Sequence, residues 1–232
     1  MSYRNGPKIV SNGLVLLLDA GNSKSYESGS TNWGDLSRNG NNGTLTNGPT
    51  YSSGNGGSIV FDGTNDYVSV AYNSSLDTPN GATYELWLYF GGTAGTILTR
   101  GTSDSGATPD NPRLYTYSSG QLYWDWSSPG SDKYMYSPVN CNTGAWNHIE
   151  GTATPGSYLG LYINGVNATG SPYGGTLPNP LYNSGDPIIV GGATWIPNYY
   201  TGNIASVRLY NRVLSSNEIL QNYNATRRRF GL

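Results

Sequence analysis

The chain has 232 residues, among them 33 Gly, 20 Tyr and 13 Pro, with only 11% charged; β-formers set between Gly, Asn and Pro turns read as all-β rather than helical. A net charge of −2 excludes a long-range field that would gather nucleic acid or anionic membrane. The single cysteine, Cys141, excludes an internal disulfide and a cysteine-based metal cluster.

The length suits one undivided β-sandwich, taken as a single domain over residues 1–232. The longest apolar run near the start, Leu14 to Leu18, is too short for a secretory or membrane-spanning segment. The expectation is therefore a protein made in the cytoplasm, without export or membrane insertion. Asn42, Asn167 and Asn224 each open an Asn-x-Thr triplet, and without export they are expected to stay unmodified.

In chain order, Gly13 to Asp19 reads as a strand buried on both faces. Three Asn-Gly pairs between Asn39 and Gly48 predict short strands folded back on themselves, because Asn-Gly supplies positive φ. Ser58–Phe61 and Asp66–Val70 flank the turn Asp62-Gly63-Thr64-Asn65. From Thr83 to Phe90 the residues alternate, Tyr84, Leu86 and Leu88 on one face and Glu85, Trp87 and Tyr89 on the other. Further strands are predicted over 96–100, 113–117, 121–126, 146–154, 158–163, 187–191 and 203–210. Asn164-Gly165 is the clearest hairpin turn. Ser215, with Glu218 three residues on, forms a capping box opening a short helix over 215–223, and residues 224–232 follow as a basic tail. A strand about every ten residues is the rhythm of a two-sheet antiparallel sandwich.

Four segments in this order resemble the laminin-G-like, concanavalin A-like lectin/glucanase superfamily. They are Phe61–Val68, Thr83–Leu88, Trp146–Ile149 with Leu161–Gly165, and Gly202–Ser215 followed by Glu218-Ile219. The resemblance implies a jelly-roll sandwich. A narrower likeness, in Gly13–Asn22, Asp35–Ser37, Asn41–Leu45 and the ending from Asn222 to Leu232, is to stand-alone lectin-like structural proteins of large tailed phages, cyanophages included. It implies a complete, non-enzymatic virion structural or decoration protein, on head or tail, that contacts other subunits and host glycans. A dedicated carbohydrate-binding adhesin is the alternative, and a glycan hydrolase the remote one. Low charge together with aromatic loops predicts self-association.

Glucanases of the superfamily carry their acids as Glu-x-Asp-x-x-Glu. Here Glu27, Glu85, Glu150 and Glu218 stand singly, so no catalytic residue is expected. His148 falls on the family's structural Trp-x-His, without an evident acid partner. No cofactor is required. Family members that hold calcium at the sandwich rim make Asp19, Asp62 and Asp66 the candidate ligands. Ala205 and Ser206 stand where a further Asp is usual, and turn hydrogen bonds by Asp62 and Asp66 are the competing reading.

Two aromatic groups are the candidates for a glycan or subunit interface. In the run Tyr115, Tyr117, Leu122, Trp124, Trp126, Tyr134 and Tyr136 one alternate set must be core, and Trp124 and Trp126 are the named platform residues. Trp195, Tyr199 and Tyr200 lie in a Pro/Gly loop, open to glycan contact, subunit contact or plain packing. Trp87 is expected in the core. Arg227, Arg228, Arg229 and Phe230 are expected to dock on an acidic partner surface, with Phe230 as anchor.

Overall fold

The computed structural model describes residues 7–101, 112–128, 131–194 and 197–232. Two antiparallel sheets face each other, as the alternation predicts. The first contains β1 (Leu14–Asp19), β4 (Thr50–Ser52), β5 (Ser58–Asp62), β7 (Ala82–Phe90), β12 (Ala145–Ala153), β13 (Leu159–Ile163), β14 (Val166–Asn167) and β16 (Thr201–Tyr210). Its order is β14-β13-β12-β7-β16-β5-β4, with β1 continuing the line of β5 along β16. The second holds β2 (Asn32–Trp33), β3 (Gly43–Thr46), β6 (Tyr67–Val70), β8 (Gly95–Arg100), β9 (Arg113–Thr116), β10 (Gln121–Ser128), β11 (Ser131–Asn140) and β15 (Ile188–Val190), in the order β11-β10-β9-β8-β15-β6-β3-β2.

The inner faces supply the core. On β7, Tyr84, Leu86, Leu88 and Phe90 point between the sheets, as do Val207 and Leu209 of β16 and Leu114, Leu122, Trp124 and Trp126 of the second sheet. Cys141 is buried with them, and burial pushes its thiol up to about 12, which leaves it un-ionised and inert.

Asn164 and Gly165, both at positive φ, close the β13–β14 hairpin as predicted. Asn47-Gly48 departs from expectation: it joins β3 of the second sheet to β4 of the first, so the turn crosses between layers instead of closing a hairpin.

The capping box is present in both directions, Ser215 Oγ accepting from the Glu218 N–H and the Glu218 carboxylate from the Ser215 N–H. It opens α1 (Ser216–Thr226), which lies across the outer face of the first sheet. The helix runs three residues beyond the predicted 223, and the basic tail that follows forms a 3-10 turn, Arg227–Phe230, packed on that same face. No helix among the described residues is long and apolar enough to cross a membrane.

Candidate functional site

The outer face of the second sheet carries a block of tyrosines. Along β9, β10 and β11 the inner positions are Leu114, Thr116, Leu122, Trp124, Trp126, Met135 and Ser137, and Tyr115, Tyr123, Tyr134 and Tyr136 take the outward ones. The register sets Tyr123 opposite both Tyr115 and Tyr136, and Asp125 opposite both Arg113 and Tyr134. Tyr115 and Tyr123 stack with centroids 5.0 Å apart, and Tyr117 meets Tyr123 edge-on at 4.9 Å. Tyr136 lies 5.6 Å from Tyr123, and Tyr173 stacks on Tyr134 at 4.5 Å.

The Arg113 guanidinium lies over the Tyr115 ring, 4.5 Å from its centroid. Arg113 is itself held by Asp125 at 3.0 Å. The central rings are thus used up on each other, while Tyr117, Tyr136 and Tyr173 remain 51%, 41% and 60% exposed. Burial, then the nearby Asp125 carboxylate, raises the Tyr115 phenol, and burial followed by its tyrosine neighbours raises that of Tyr123. Both keep their protons as hydrogen-bond donors at neutral pH.

Trp124 and Trp126 do not join this face. Both are fully buried between the sheets, the Trp124 indole donating to the Thr152 carbonyl at 3.0 Å. Its place is made by Gly151 of β12, where an added Cβ would come within 2.8 Å of the Trp124 ring. The inward and outward sets are therefore the reverse of the expected platform.

Tyr200 is also core: it is fully buried, donates to the Tyr89 carbonyl at 2.8 Å and meets Phe61 edge-on. Tyr199 is half-buried, beside Thr96, and Trp195 lies outside the described residues.

The three aspartates do not converge. Asp62 and Asp19 pair with Thr201 and Ser206 of β16, so five residues, about 16 Å of strand, separate them. Asp62 Oδ1 accepts from Thr64 N–H at 2.7 Å, and Asp66 Oδ2 from Asp62 N–H at 3.1 Å, closing the turn. Asp19 takes Arg229 Nη1 at 2.6 Å.

That ion pair also corrects the reading of the tail. Arg229 donates to the carbonyls of Asn55 and Gly57 as well, Arg227 lies over Tyr223, and Phe230 is buried against Trp87 and Trp146. The partner that Phe230 and Arg229 dock on is their own domain; Arg228 stays exposed.

Beneath the tail lies a polar cluster that single residues in sequence do not announce. Glu85 and Glu150 face each other across β7 and β12, with His148 Nε2 2.9 Å from Glu85 Oε1 and 3.9 Å from Glu150 Oε1. Arg208 pairs with Glu85 Oε1, and Asn222 of α1 donates to Oε2 at 2.7 Å. Burial opposes ionisation of Glu85, but Arg208, His148 and Asn222 more than offset it and hold its carboxyl near 2. Burial, and then the charge on Glu85, pushes Glu150 well up, and burial lowers His148.

The cluster thus holds Glu85 ionised against Arg208, with Glu150 and His148 neutral. Both acids and the histidine are fully sealed from solvent, and their ligand atoms lie within 4.8 Å of one another. The signal for it was the shared outward parity of Glu85, His148, Glu150 and Arg208, which becomes readable only once the strand register is known.

Comparison with known proteins bears on the whole sandwich. No curated protein matches the sequence. The binding domain of Paraclostridial Mosquitocidal Protein 1 superposes with a TM-score of 0.73 at 18% identity, over 93% of this chain and 52% of that one. Domain 4 of AbnA, a GH43 extracellular arabinanase from Geobacillus stearothermophilus solved in complex with arabinotriose, gives 0.68 at 17% identity, over 90% and 98%. The botulinum neurotoxin serotype D binding domain gives 0.70 at 13%, over 92% and 52%. The chain spans about half the length of the two toxin domains and nearly all of the arabinanase domain, and at these identities the likeness is one of fold. Residues 62–220 match the family described as the concanavalin A-like lectin/glucanases superfamily, and with over half the chain matched, this protein belongs to that superfamily.

Proposed function

We propose that the chain is a non-catalytic glycan-binding module that lays an oligosaccharide along the tyrosine face of β9, β10 and β11. The observation that carries this reading is the set of exposed rings, Tyr117, Tyr136 and Tyr173, arrayed around a rigid stacked centre. The C–H face of a sugar ring packs on such rings, while phenol and Ser hydroxyls meet its hydroxyl groups. Because the rings are braced by strands and by each other, little side-chain freedom is lost on binding.

Two further observations support the reading. Domain 4 of the arabinanase, covered almost end to end, was solved with arabinotriose. The two facing glutamates, where a hydrolase would need solvent-accessible acids, are sealed beneath the C-terminal helix.

The likeness of Gly13–Asn22 and of the chain's end to phage structural proteins extends the proposal to a virion surface, where the domain would contact neighbouring subunits. Calcium has no three-carboxylate site among Asp19, Asp62 and Asp66 in this geometry, and the proposal does not depend on it. The test is a polysaccharide panel that includes arabinan, read by affinity electrophoresis on the wild type and on Tyr117→Ala/Tyr136→Ala. Retarded wild type and unretarded variant are expected; equal migration of both on every polymer would refute the assignment. Mass spectrometry of purified particles tests the virion setting.

A further inference from the structure

α1 and the 3-10 turn cover the outer face of the first sheet only in part. They seal the region of Glu85, Trp87 and His148 and end at Phe230, which leans on Trp146 with centroids 4.7 Å apart. The next cross-strand row, Trp146–Tyr89–Asn203–Val60, runs out from under this cover. Here Tyr89, Trp146 and Asn203, with Ser52, Asn55 and Ser58, line a pocket of about 180 Å³.

Three features mark it as built. Tyr89 and Trp146 form a corner, centroids 5.8 Å apart and planes at 70°, in which half-buried Tyr89 is the main aromatic surface and Trp146, 9% exposed, shows the pocket only a small part of its ring. Asn203 donates to Ser58 Oγ at 3.0 Å, which fixes its amide and leaves the carbonyl oxygen as an acceptor.

The rim loop is also held in shape. Asn55 sits in the left-handed region, at φ 51° and ψ 34°, a conformation that Asn tolerates better than most residues. Gly57, at φ 114°, admits no side chain, since a Cβ there would lie 2.5 Å from the Ala20 carbonyl. Arg229 ties this loop down from the C-terminus, donating to Asn55 O at 2.8 Å and Gly57 O at 2.5 Å while Asp19 holds it in place.

The lining has no charged side chain, so the occupant is neutral. The volume falls below the roughly 300–1,000 Å³ of sites that take drug-sized ligands, so the occupant is small. Amides and hydroxyls beside two aromatic rings suit a polyhydroxylated ring. We infer that this pocket is a second saccharide site, for a single neutral pyranose unit, with Arg229 as the residue that positions its rim. It lies on the opposite side of the sandwich from the tyrosine face, so one domain engaging both would bridge two glycans.

The test follows the Trp146 indole N–H and the Asn203 side-chain amide in nitrogen-labelled full-length protein. Methyl glucoside, methyl galactoside and N-acetylglucosamine are each titrated into the millimolar range. Saturable shifts at Trp146 are expected with at least one sugar. Asn203→Ala should weaken that sugar roughly tenfold or more, equivalent to about 1.4 kcal/mol, and Arg229→Ala should weaken it several-fold. Ser52→Phe, which fills the pocket from its rim, serves as a second blocking variant should Asn203→Ala disturb the fold. Tyr117→Ala/Tyr136→Ala should leave the shifts unchanged, which separates this site from the tyrosine face. No shift with any of the three sugars, or shifts that persist in the blocking variants, would overturn the inference.

Discussion

Phe230 lies flat on Trp87, ring centroids 4.0 Å apart and planes inclined by 20°. Trp87 in turn donates its indole N–H to Thr226 Oγ1 at 2.8 Å, so helix, tail and central strand are joined through one indole. The C-terminal segment is thereby part of the fold, and Arg229 serves one of the domain's own loops.

Truncating this stack should be felt throughout. Phe230→Ala is expected to lower stability by about 3 kcal/mol, the lower end of what removal of a buried aromatic ring costs. Deleting residues 227–232 should cost more, because the Arg229 contacts to Asp19, Asn55 and Gly57 go with it. Urea denaturation followed by tryptophan fluorescence measures both. An unchanged midpoint for the deletion would mean that the tail does not rest on Trp87.

The facing glutamates should respond to substitution with opposite signs. Glu150 is neutral in the folded state because burial and the Glu85 charge raise its pKa, whereas in the unfolded chain it ionises near the ordinary carboxyl value. The stability this group allows is therefore fully present below the unfolded pKa and is lost as pH rises toward the folded one, by up to about 1.4 kcal/mol per pH unit. Glu150→Gln removes that penalty, so it should stabilise the protein at pH 7 and do so more at pH 8 than at pH 6.

Glu85→Gln does the reverse. Its carboxyl is depressed to about 2, so its contribution is present above the unfolded pKa and is lost as pH falls toward 2. Removing the charge leaves the Arg208 guanidinium buried and unpaired, at a cost of about 3–5 kcal/mol near neutrality. Denaturation of both variants at pH 6, 7 and 8 separates the roles. Destabilisation by Glu150→Gln that grows with pH would contradict the assignment of the neutral acid.

Asp62→Ala should lower the melting temperature equally in calcium and in chelator. Its Oδ1 accepts the Thr64 N–H, a turn bond worth about 1 kcal/mol, and Asp19 is drawn away to Arg229. A loss seen only in the presence of calcium would mean that the ion binds the native state through this carboxylate.

Much of this architecture is legible in the residues, and the gaps have physical causes. The alternation from Thr83 to Phe90 separated the two faces correctly, and Tyr84, Leu86 and Leu88, the more apolar set, turn between the sheets; Trp87, expected in the core, is buried on the opposite face beneath the C-terminal segment. On β10 the alternation fails to choose, since Tyr123 and Trp124 are both large aromatics and either could be inward. The choice is made by Gly151, on a strand of the other sheet, whose missing side chain admits the Trp124 ring. Asn47-Gly48 announces a turn, but whether a turn closes a hairpin or crosses between sheets depends on strand pairing, which is set by distant residues. The tail shows the same limit: Phe230 reads as an anchor, and only the parity of Trp87 and Trp146 on paired strands reveals that its seat lies within the same chain.

The central claim rests on the exposed tyrosines, and the most direct measurement is isothermal titration of whichever polysaccharide retards the wild type, against Tyr117→Ala/Tyr136→Ala. The two rings lie at the margins of the stacked group, half or nearly half exposed, so the variant should keep the wild-type melting temperature. Each lost aromatic contact is worth about 0.5–1.5 kcal/mol, so the double variant should bind roughly fivefold to a hundredfold more weakly. A variant that melts as the wild type does and binds with undiminished affinity would contradict the account.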